Sequence, residues 1–87
     1  FMKKILIYSS NICPYCIAAK RIFESLDLNF QEKIIDNSPD TKKEMIEKSH
    51  GRKTVPQVFI GNTHIGGYDD LELALKSGKL EEILDGK

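Results

Sequence analysis

The sequence lacks a long apolar run and lacks a surplus of either charge. Its 87 residues contain no stretch approaching the roughly 18 apolar residues of a membrane-spanning helix, and Lys3-Lys4 is not followed by the apolar segment of a signal peptide. Thirteen basic and thirteen acidic side chains cancel, and neither sign forms a long block. We therefore expect a cytoplasmic protein that binds neither nucleic acid nor membranes, and whose partners are small molecules or transiently bound proteins.

The chain is too short for two domains. A chain of 87 residues buries about 60 to 65% of its unfolded surface, which suffices for one small core. Residues 1–87 contain no repeat, linker or low-complexity segment. We expect a single domain over 1–87, and a monomer.

Cysteine is scarce, and the two that occur are close together. Cys13 and Cys16 enclose Pro14-Tyr15, between an apolar run and a segment of helical periodicity. A thiol at a helix N-terminus faces free backbone N–H groups and the positive end of the helix dipole, which favour the thiolate. Pro14 suits the first helical position, so Cys13 is predicted to cap the helix, exposed, with Cys16 sheltered one turn inside. The pattern predicts a redox pair.

Three other uses of two cysteines are less favoured. A structural disulfide across two residues would restrict the unfolded chain by only about 2 kcal/mol. A zinc site needs a second ligand pair, and His50 and His64, the only histidines, are not closely spaced. Two inert core cysteines fit poorly with an exposed cap position beside a proline. In the reducing cytoplasm a lone C-x-x-C pair is more plausibly catalytic.

Hydrophobic periodicity and turn signals predict the order βαβαββα, followed by a short terminal helix. The expected strands cover 3–8, 30–35, 58–60 and 63–65, and the expected helices cover 14–27, 39–50, 68–78 and 80–84. Strand, helix and strand over about 30 residues imply a right-handed parallel crossover. The sequence thus predicts an α/β fold with a four-stranded mixed sheet flanked by helices. Helical spacing turns Leu26 and Leu75, among others, toward the core.

Three motifs in this order closely resemble the dithiol glutaredoxins of the thioredoxin fold. They are Cys-Pro-Tyr-Cys at 13–16, Thr54-Val55-Pro56 before the third strand, and Gly66-Gly67-Tyr68-Asp69-Asp70 at the start of the last main helix. The resemblance covers nearly the whole chain. It implies a glutathione-dependent thiol-disulfide oxidoreductase that reduces protein disulfides and glutathionylated mixed disulfides, with Cys13 as nucleophile and Cys16 as resolving thiol. Glutathione would be the reducing co-substrate, and no metal is implied.

The resemblance also implies a glutathione site. The bond before Pro56 would be cis, and the Val55 backbone would pair with the extended tripeptide. The γ-glutamyl carboxylate would bind the Tyr68 and Asp69 amides, because helix starts attract anions, and the amino group would suit Asp69 or Asp70. Alternatively, the two aspartates only cap the helix. The implied contacts are Tyr15, Thr54, Val55, Pro56, Gln57, Gly67, Tyr68, Asp69 and Asp70, with Gln57 and either Arg52 or Lys53 at the glycyl carboxylate.

One departure and two alternative functions stand beside this hypothesis. Many family members carry a lysine three residues before the first cysteine, where this chain has Ser10. One alternative is an electron donor to ribonucleotide reductase that is reduced by thioredoxin reductase, although the tryptophan usual in such donors is absent. The other is a carrier in which glutathione and Cys13 from two subunits ligate an iron-sulfur cluster. His50, His64 and Met45 are predicted to be structural or surface residues.

Overall fold

The computed structural model describes residues 3–85, so the first two and last two residues of the domain predicted over 1–87 lie outside the described residues. The strands and helices alternate and then pair, in the order β1 (Ile5–Ser9), α1 (Pro14–Ser25), β2 (Gln31–Ile34), α2 (Pro39–Lys48), β3 (Gln57–Ile60), β4 (Thr63–Gly66), α3 (Tyr68–Ser77) and α4 (Lys79–Leu84). The predicted order is confirmed, with boundaries that differ by at most two residues.

The four strands form one mixed sheet in the order β2-β1-β3-β4. β1 pairs with β2 in parallel, across the predicted crossover helix, and with β3 antiparallel. β3 and β4 form the predicted hairpin, in which Gly61 has a φ of 58° that suits glycine at the turn. The central position of β1 explains why its side chains are apolar on both faces.

Each face of the sheet has its own core. On one face, Ile7 and Val58 pack in a cluster with Phe23 of α1 and Leu71 of α3. On the other face, α2 buries Met45 against Tyr8 and Phe59. The helices therefore lie on both sides of the sheet, as the sequence predicts.

Leu26 and Leu75 were predicted to lie in the core, but the structure leaves both exposed. Leu26 is 42% exposed because α1 ends at Ser25, and Asp27 then takes a positive φ of 59°, so the chain leaves the helix before Leu26 reaches the inner face. Leu75 is 39% exposed because the buried stripe of α3 is centred on Leu71 and Ala74 and leaves Leu75 at its margin. Within residues 3–85, no helix has the length and apolar character needed to cross a bilayer.

Candidate active site

Cys13 occupies the N-terminal cap of α1, and Pro14 follows at the first helical position. The backbone N–H of Cys16 donates to the Cys13 Sγ at 3.2 Å, so the sulfur accepts the hydrogen bond that a cap residue normally takes. Cys13 is partly rather than fully exposed, and Cys16 is completely buried. Both are free thiols. The predicted arrangement of an accessible sulfur above a sheltered one is confirmed.

The buried Cys16 is held in its protonated form. Burial raises the pKa of the Cys16 thiol well above its ordinary value, and the neighbouring Cys13 sulfur raises it further. A backbone hydrogen bond from Ser10 and the charge of Lys20 act in the opposite direction. At neutral pH Cys16 is therefore a thiol, which leaves Cys13 as the sulfur placed for nucleophilic attack.

Val55 brings a distant segment to the Cys13 sulfur. The Cys13 Sγ lies 3.7 Å from the Val55 carbonyl oxygen, which can accept the thiol proton. The Val55-Pro56 peptide bond is cis, as the resemblance implies. The loop before β3 is therefore in direct contact with the reactive sulfur, although 42 residues separate the two in sequence.

A groove of about 360 Å³ opens beside these residues, and we call it the thiol groove. It is formed by the first turn of α1, the loop before β3 and the start of α3. The Tyr15 and Tyr68 rings stand on it with centroids 5.9 Å apart. Its lining residues are Tyr15, Arg52, Thr54, Val55, Pro56, Gly67, Tyr68, Asp69 and Asp70. These are all the residues predicted to contact glutathione except Gln57 and Lys53.

Gln57 was predicted to contact glutathione, but the structure buries it inside the fold. Its side chain is fully buried, and its amide nitrogen donates to the Thr54 carbonyl oxygen at 3.1 Å. Its amide oxygen lies 2.8 Å from the His64 Nε2, which makes that histidine nitrogen the donor. The amide is thus committed to the fold and cannot meet a ligand carboxylate in the thiol groove. Lys53 is exposed and lies outside the groove lining, so Arg52 is the cation that the structure brings to it.

The two adjacent aspartates have different surroundings. The Asp70 carboxylate accepts the Gly67 N–H at 3.0 Å, which is the half of a capping box that a glycine cap allows, and the same oxygen lies 3.3 Å from the Arg52 Nη1. Gly66 has a φ of 118°, and a Cβ there would collide with the Asp70 carboxylate. Asp69 is exposed and forms no side-chain hydrogen bond within residues 3–85. Asp70 is therefore the cap, and Asp69 has a carboxylate available to a ligand.

Asp36 is a residue that the sequence analysis missed. Its carboxylate accepts the Ser10 hydroxyl at 2.7 Å and the Asn11 N–H at 2.9 Å, which fixes the loop that leads to Cys13. These two hydrogen bonds lower the pKa of Asp36. A signal for this contact was present, because the carboxyl ends of adjacent parallel strands meet at one edge of a sheet and Asp36 follows β2 closely. The Ser10 hydroxyl is thus already hydrogen-bonded to the Asp36 carboxylate.

A second polar network lies on the parallel strands near the buried thiol. Ser9 is fully buried and donates its hydroxyl to Glu32, which also pairs with Lys20 of α1 at 2.8 Å. The hydrogen bonds from Lys20 and Ser9 outweigh the burial of Glu32 and lower the pKa of its carboxyl. Lys20 is the residue whose charge lowers the pKa of Cys16, so this network supplies positive charge to that thiol. Among residues 3–85 we find no group of three or more side chains arranged to bind a metal ion.

Comparison with known sequences gives one consistent result. A family model described as "Glutaredoxin" matches residues 5–65. The chain is 42% identical over 83 residues to a glutaredoxin of Pseudomonas aeruginosa, a match that covers 95% of this chain and 98% of the relative. It is 45% identical over 83 residues to glutaredoxin 3 of Escherichia coli K12, covering 95% of this chain and 99% of the relative.

Solved structures agree with the sequences. The solution structure of a glutaredoxin from Brucella melitensis is similar with a TM-score of 0.84 at 40% identity, over 99% of this chain and 94% of that one. A crystal structure of a buckwheat glutaredoxin-glutathione complex is similar with a TM-score of 0.85 at 31% identity, over 97% of this chain and 78% of that one. The sheet order and flanking helices are those of the thioredoxin fold that the sequence resemblance implied.

Proposed function

Because this chain belongs to the glutaredoxin family and is a thiol-disulfide oxidoreductase, we propose that it is a dithiol member that takes its electrons from glutathione. Cys13 is the nucleophile and Cys16 the resolving thiol. The observation that carries this proposal is the position of the Cys13 sulfur, which lies at the cap of α1 and in contact with Val55 of the thiol groove. From that position the Cys13 thiolate can attack a disulfide lying in the groove, and once Cys13 is part of a mixed disulfide its bond can be attacked by a thiol bound there.

With a protein disulfide as substrate, the reaction needs both cysteines. The Cys13 thiolate attacks one substrate sulfur, so a Cys13–substrate bond forms and the substrate disulfide breaks, and the leaving thiolate takes up a proton. Cys16 loses its proton and attacks the Cys13 sulfur, which releases the second substrate thiol and forms the Cys13–Cys16 disulfide. Two glutathione molecules then reduce this disulfide in turn and leave as glutathione disulfide. Two electrons pass from glutathione to the substrate.

With a glutathionylated protein as substrate, the reaction needs only Cys13. Its thiolate attacks the glutathione sulfur of the mixed disulfide and releases the protein thiol. A second glutathione then attacks the Cys13–glutathione bond, which restores the Cys13 thiolate and forms glutathione disulfide. Cys16, protonated and buried, does not enter this route.

The thiol groove suits an extended tripeptide. Val55 offers backbone groups beside the nucleophile, and the start of α3 offers the amide N–H groups of Tyr68 and Asp69 to the γ-glutamyl carboxylate. The free Asp69 carboxylate suits the amino group, and Arg52 suits the glycyl carboxylate. The similarity to a glutaredoxin-glutathione complex supports this use of the groove. We further propose that the protein acts in the cytoplasm as a monomer on transient protein substrates.

A coupled assay tests the proposal and separates it from the alternatives. With glutathione, glutathione reductase and NADPH, the wild type is expected to reduce a glutathionylated peptide, and Cys13→Ser is expected to be inactive. Turnover supported by thioredoxin reductase, without glutathione, would instead favour a donor of the ribonucleotide reductase type. An iron-sulfur chromophore in anaerobically purified protein would favour the carrier function. Activity retained in Cys13→Ser would overturn the assignment of the nucleophile.

A further inference from the structure

A second groove, of about 440 Å³, lies on the face of the sheet that carries α2, and we call it the sheet groove. Its floor is one continuous row of paired residues across all four strands. Leu6 of β1 pairs with Gln31 and with Phe59, and Phe59 in turn pairs with His64. Residues paired in this way point to the same side of a sheet. The floor therefore presents Leu6 and Phe59 as an apolar centre between two polar ends.

The position of α2 leaves Leu6 half-buried and Gln31 exposed, whereas Phe59, at 8% exposure, is almost fully covered. Met45 of α2 packs on Tyr8 and Phe59, so the helix covers the end of the sheet near the thiols. Leu6 and Gln31 lie two residues earlier along β1 and β2 than Tyr8 and Lys33, toward the opposite end. The sheet groove is thus separate from the thiol groove and shares none of its lining residues.

The rim of the sheet groove carries an excess of positive charge. Lys4, Lys33 and Lys48 all line it, and among residues 3–85 no carboxylate does. Lys33 pairs at 2.8 Å with Glu44, whose pKa the charge of Lys48 also lowers. Lys33 and Lys48 therefore share one carboxylate, and Lys4 adds a third positive charge to the rim, in a protein whose formal charges cancel overall. Lysines on one rim raise the local positive potential, which would attract an anion into the groove.

The floor adds a second requirement to the ligand. The His64 ring stacks on Phe59 with centroids 4.7 Å apart and planes inclined by 23°, and the His50 ring lies 6.5 Å from His64. The Leu6 side chain and the His64 ring, both half-buried and both in the groove lining, favour a planar group, and the volume falls within the range of small-molecule sites. We propose that the sheet groove binds a small phosphorylated anion that carries a planar ring, the class to which nucleotides belong.

His64 provides a reporter inside the groove. Its Nε2 donates to Gln57, so its Nδ1 is the nitrogen that protonation would change. Burial, together with the charges of Arg52 and His50, lowers the pKa of His64, while Asp70 raises it. A bound phosphate would favour the protonated ring and raise the pKa of His64 toward its ordinary value.

NMR titration of the isotope-labelled full chain tests the proposal, with ADP and inorganic pyrophosphate as probes. Both are expected to cause saturable shifts in the amides of Leu6, Gln31 and Phe59, and to raise the pKa of His64. ADP should bind several-fold more tightly than pyrophosphate, because only ADP has a ring for the apolar floor. Equal affinities would overturn the planar part of the proposal, and shifts that never saturate would overturn the site.

Lysine variants supply the matched control. Lys48→Gln is expected to weaken ADP binding roughly two- to fivefold, the effect of losing one exposed charge contact. Lys43→Gln removes the same charge from the same helix, but Lys43 is exposed and outside the groove lining, so its affinity should match the wild type. An equal loss in both variants would mean nonspecific attraction to α2 and would overturn the site.

Discussion

The Ser10 hydroxyl donates to the Asp36 carboxylate at 2.7 Å and ties the loop before the thiols to the end of β2. In many glutaredoxins the position of Ser10 carries a lysine, whose charge helps to hold the glycyl carboxylate and to stabilise the thiolate. In this fold, a lysine at position 10 would lie beside the Asp36 carboxylate. Its ammonium group would pair with Asp36, and this pairing would weaken its stabilisation of the Cys13 thiolate.

This contact predicts a dependence of Ser10→Lys on Asp36. Ser10→Lys alone should shift the pH profile of Cys13 alkylation toward lower pH only slightly, because exposed ion pairs are worth about 0.2 to 1 kcal/mol. Ser10→Lys combined with Asp36→Asn should shift it further, since the lysine then lacks a competing partner. Iodoacetamide alkylation rates measured from pH 4 to 9 check this, with Asp36→Asn as the control. A shift to higher pH in the double variant would contradict the expected position of the lysine.

Cys16→Ser should separate the two reactions. Reduction of glutathionylated peptide should remain largely intact, because the buried and protonated Cys16 does not take part in it. Reduction of a protein disulfide should stop, because no second thiol remains in the chain to resolve the mixed disulfide. Both activities are measured with the same glutathione-coupled assay. An equal loss of both would show that Cys16 has another role in the reaction.

Asp69 and Asp70 should respond differently to the same change. Asp69→Asn should raise the KM for glutathione roughly two- to fivefold, the effect of losing one exposed charge contact, with little change in stability. Asp70→Asn should lower the free energy of unfolding by about 0.2 to 1 kcal/mol, because it removes the charge that pairs with Arg52 and lies at the N-terminus of α3. Urea denaturation and glutathione kinetics on both variants check this. Unchanged glutathione kinetics in Asp69→Asn would leave that residue without a role in binding.

Glu44 should make the free energy of unfolding depend on pH in the acidic range. It accepts from Lys33 at 2.8 Å and from the Tyr8 hydroxyl, and these bonds lower the pKa of its carboxyl below the ordinary value of 4.5. A carboxyl whose pKa is lower in the folded state contributes stability that is present above pH 4.5 and is lost as the pH falls through the folded value. The free energy of unfolding should therefore decrease as the pH is lowered below about 4.5. The decrease should be less steep in Glu44→Gln.

Glu47→Gln is the control for that measurement. Glu47 is an exposed carboxylate on the same helix and forms no ion pair within residues 3–85. Urea denaturation from pH 3 to 7 should give Glu47→Gln the acid dependence of the wild type. The explanation would be wrong if the two glutamine variants lost stability in parallel as the pH fell.

Sequence patterns by themselves determined the local parts of this protein. Cys13 and Pro14 carry the cap and the first helical turn within two adjacent residues, so the helix-terminal thiol follows from capping preferences alone. The β3–β4 hairpin follows from Gly61-Asn62 between two apolar runs, and the parallel pair follows from the strand-helix-strand spacing. The cap and the hairpin depend on contacts between residues close in sequence, and the parallel pair depends on the length of the connection, which the chain specifies directly.

The resemblance predicted most residues of the thiol groove, and packing decided which of them line it. Gln57 was predicted to meet a ligand, but the pairing of β3 between β1 and β4 turns its amide to Thr54 and His64 inside the fold. The roles of Asp69 and Asp70 could not be separated in sequence, because either could cap a helix. Only the approach of Arg52 and the Gly67 N–H to one carboxylate assigns the cap to Asp70.

Tertiary packing set the contacts of Asp36 with Ser10 and of Val55 with Cys13, across separations of 26 and 42 residues. It also left Leu6 half-buried in a groove lined by three lysines, because α2 covers only one end of its sheet face. Local preferences do not report such contacts, since each depends on how far a helix extends over the sheet and on which strand ends meet. Periodicity indicates which side of an element is apolar, whereas packing decides which apolar residues are covered.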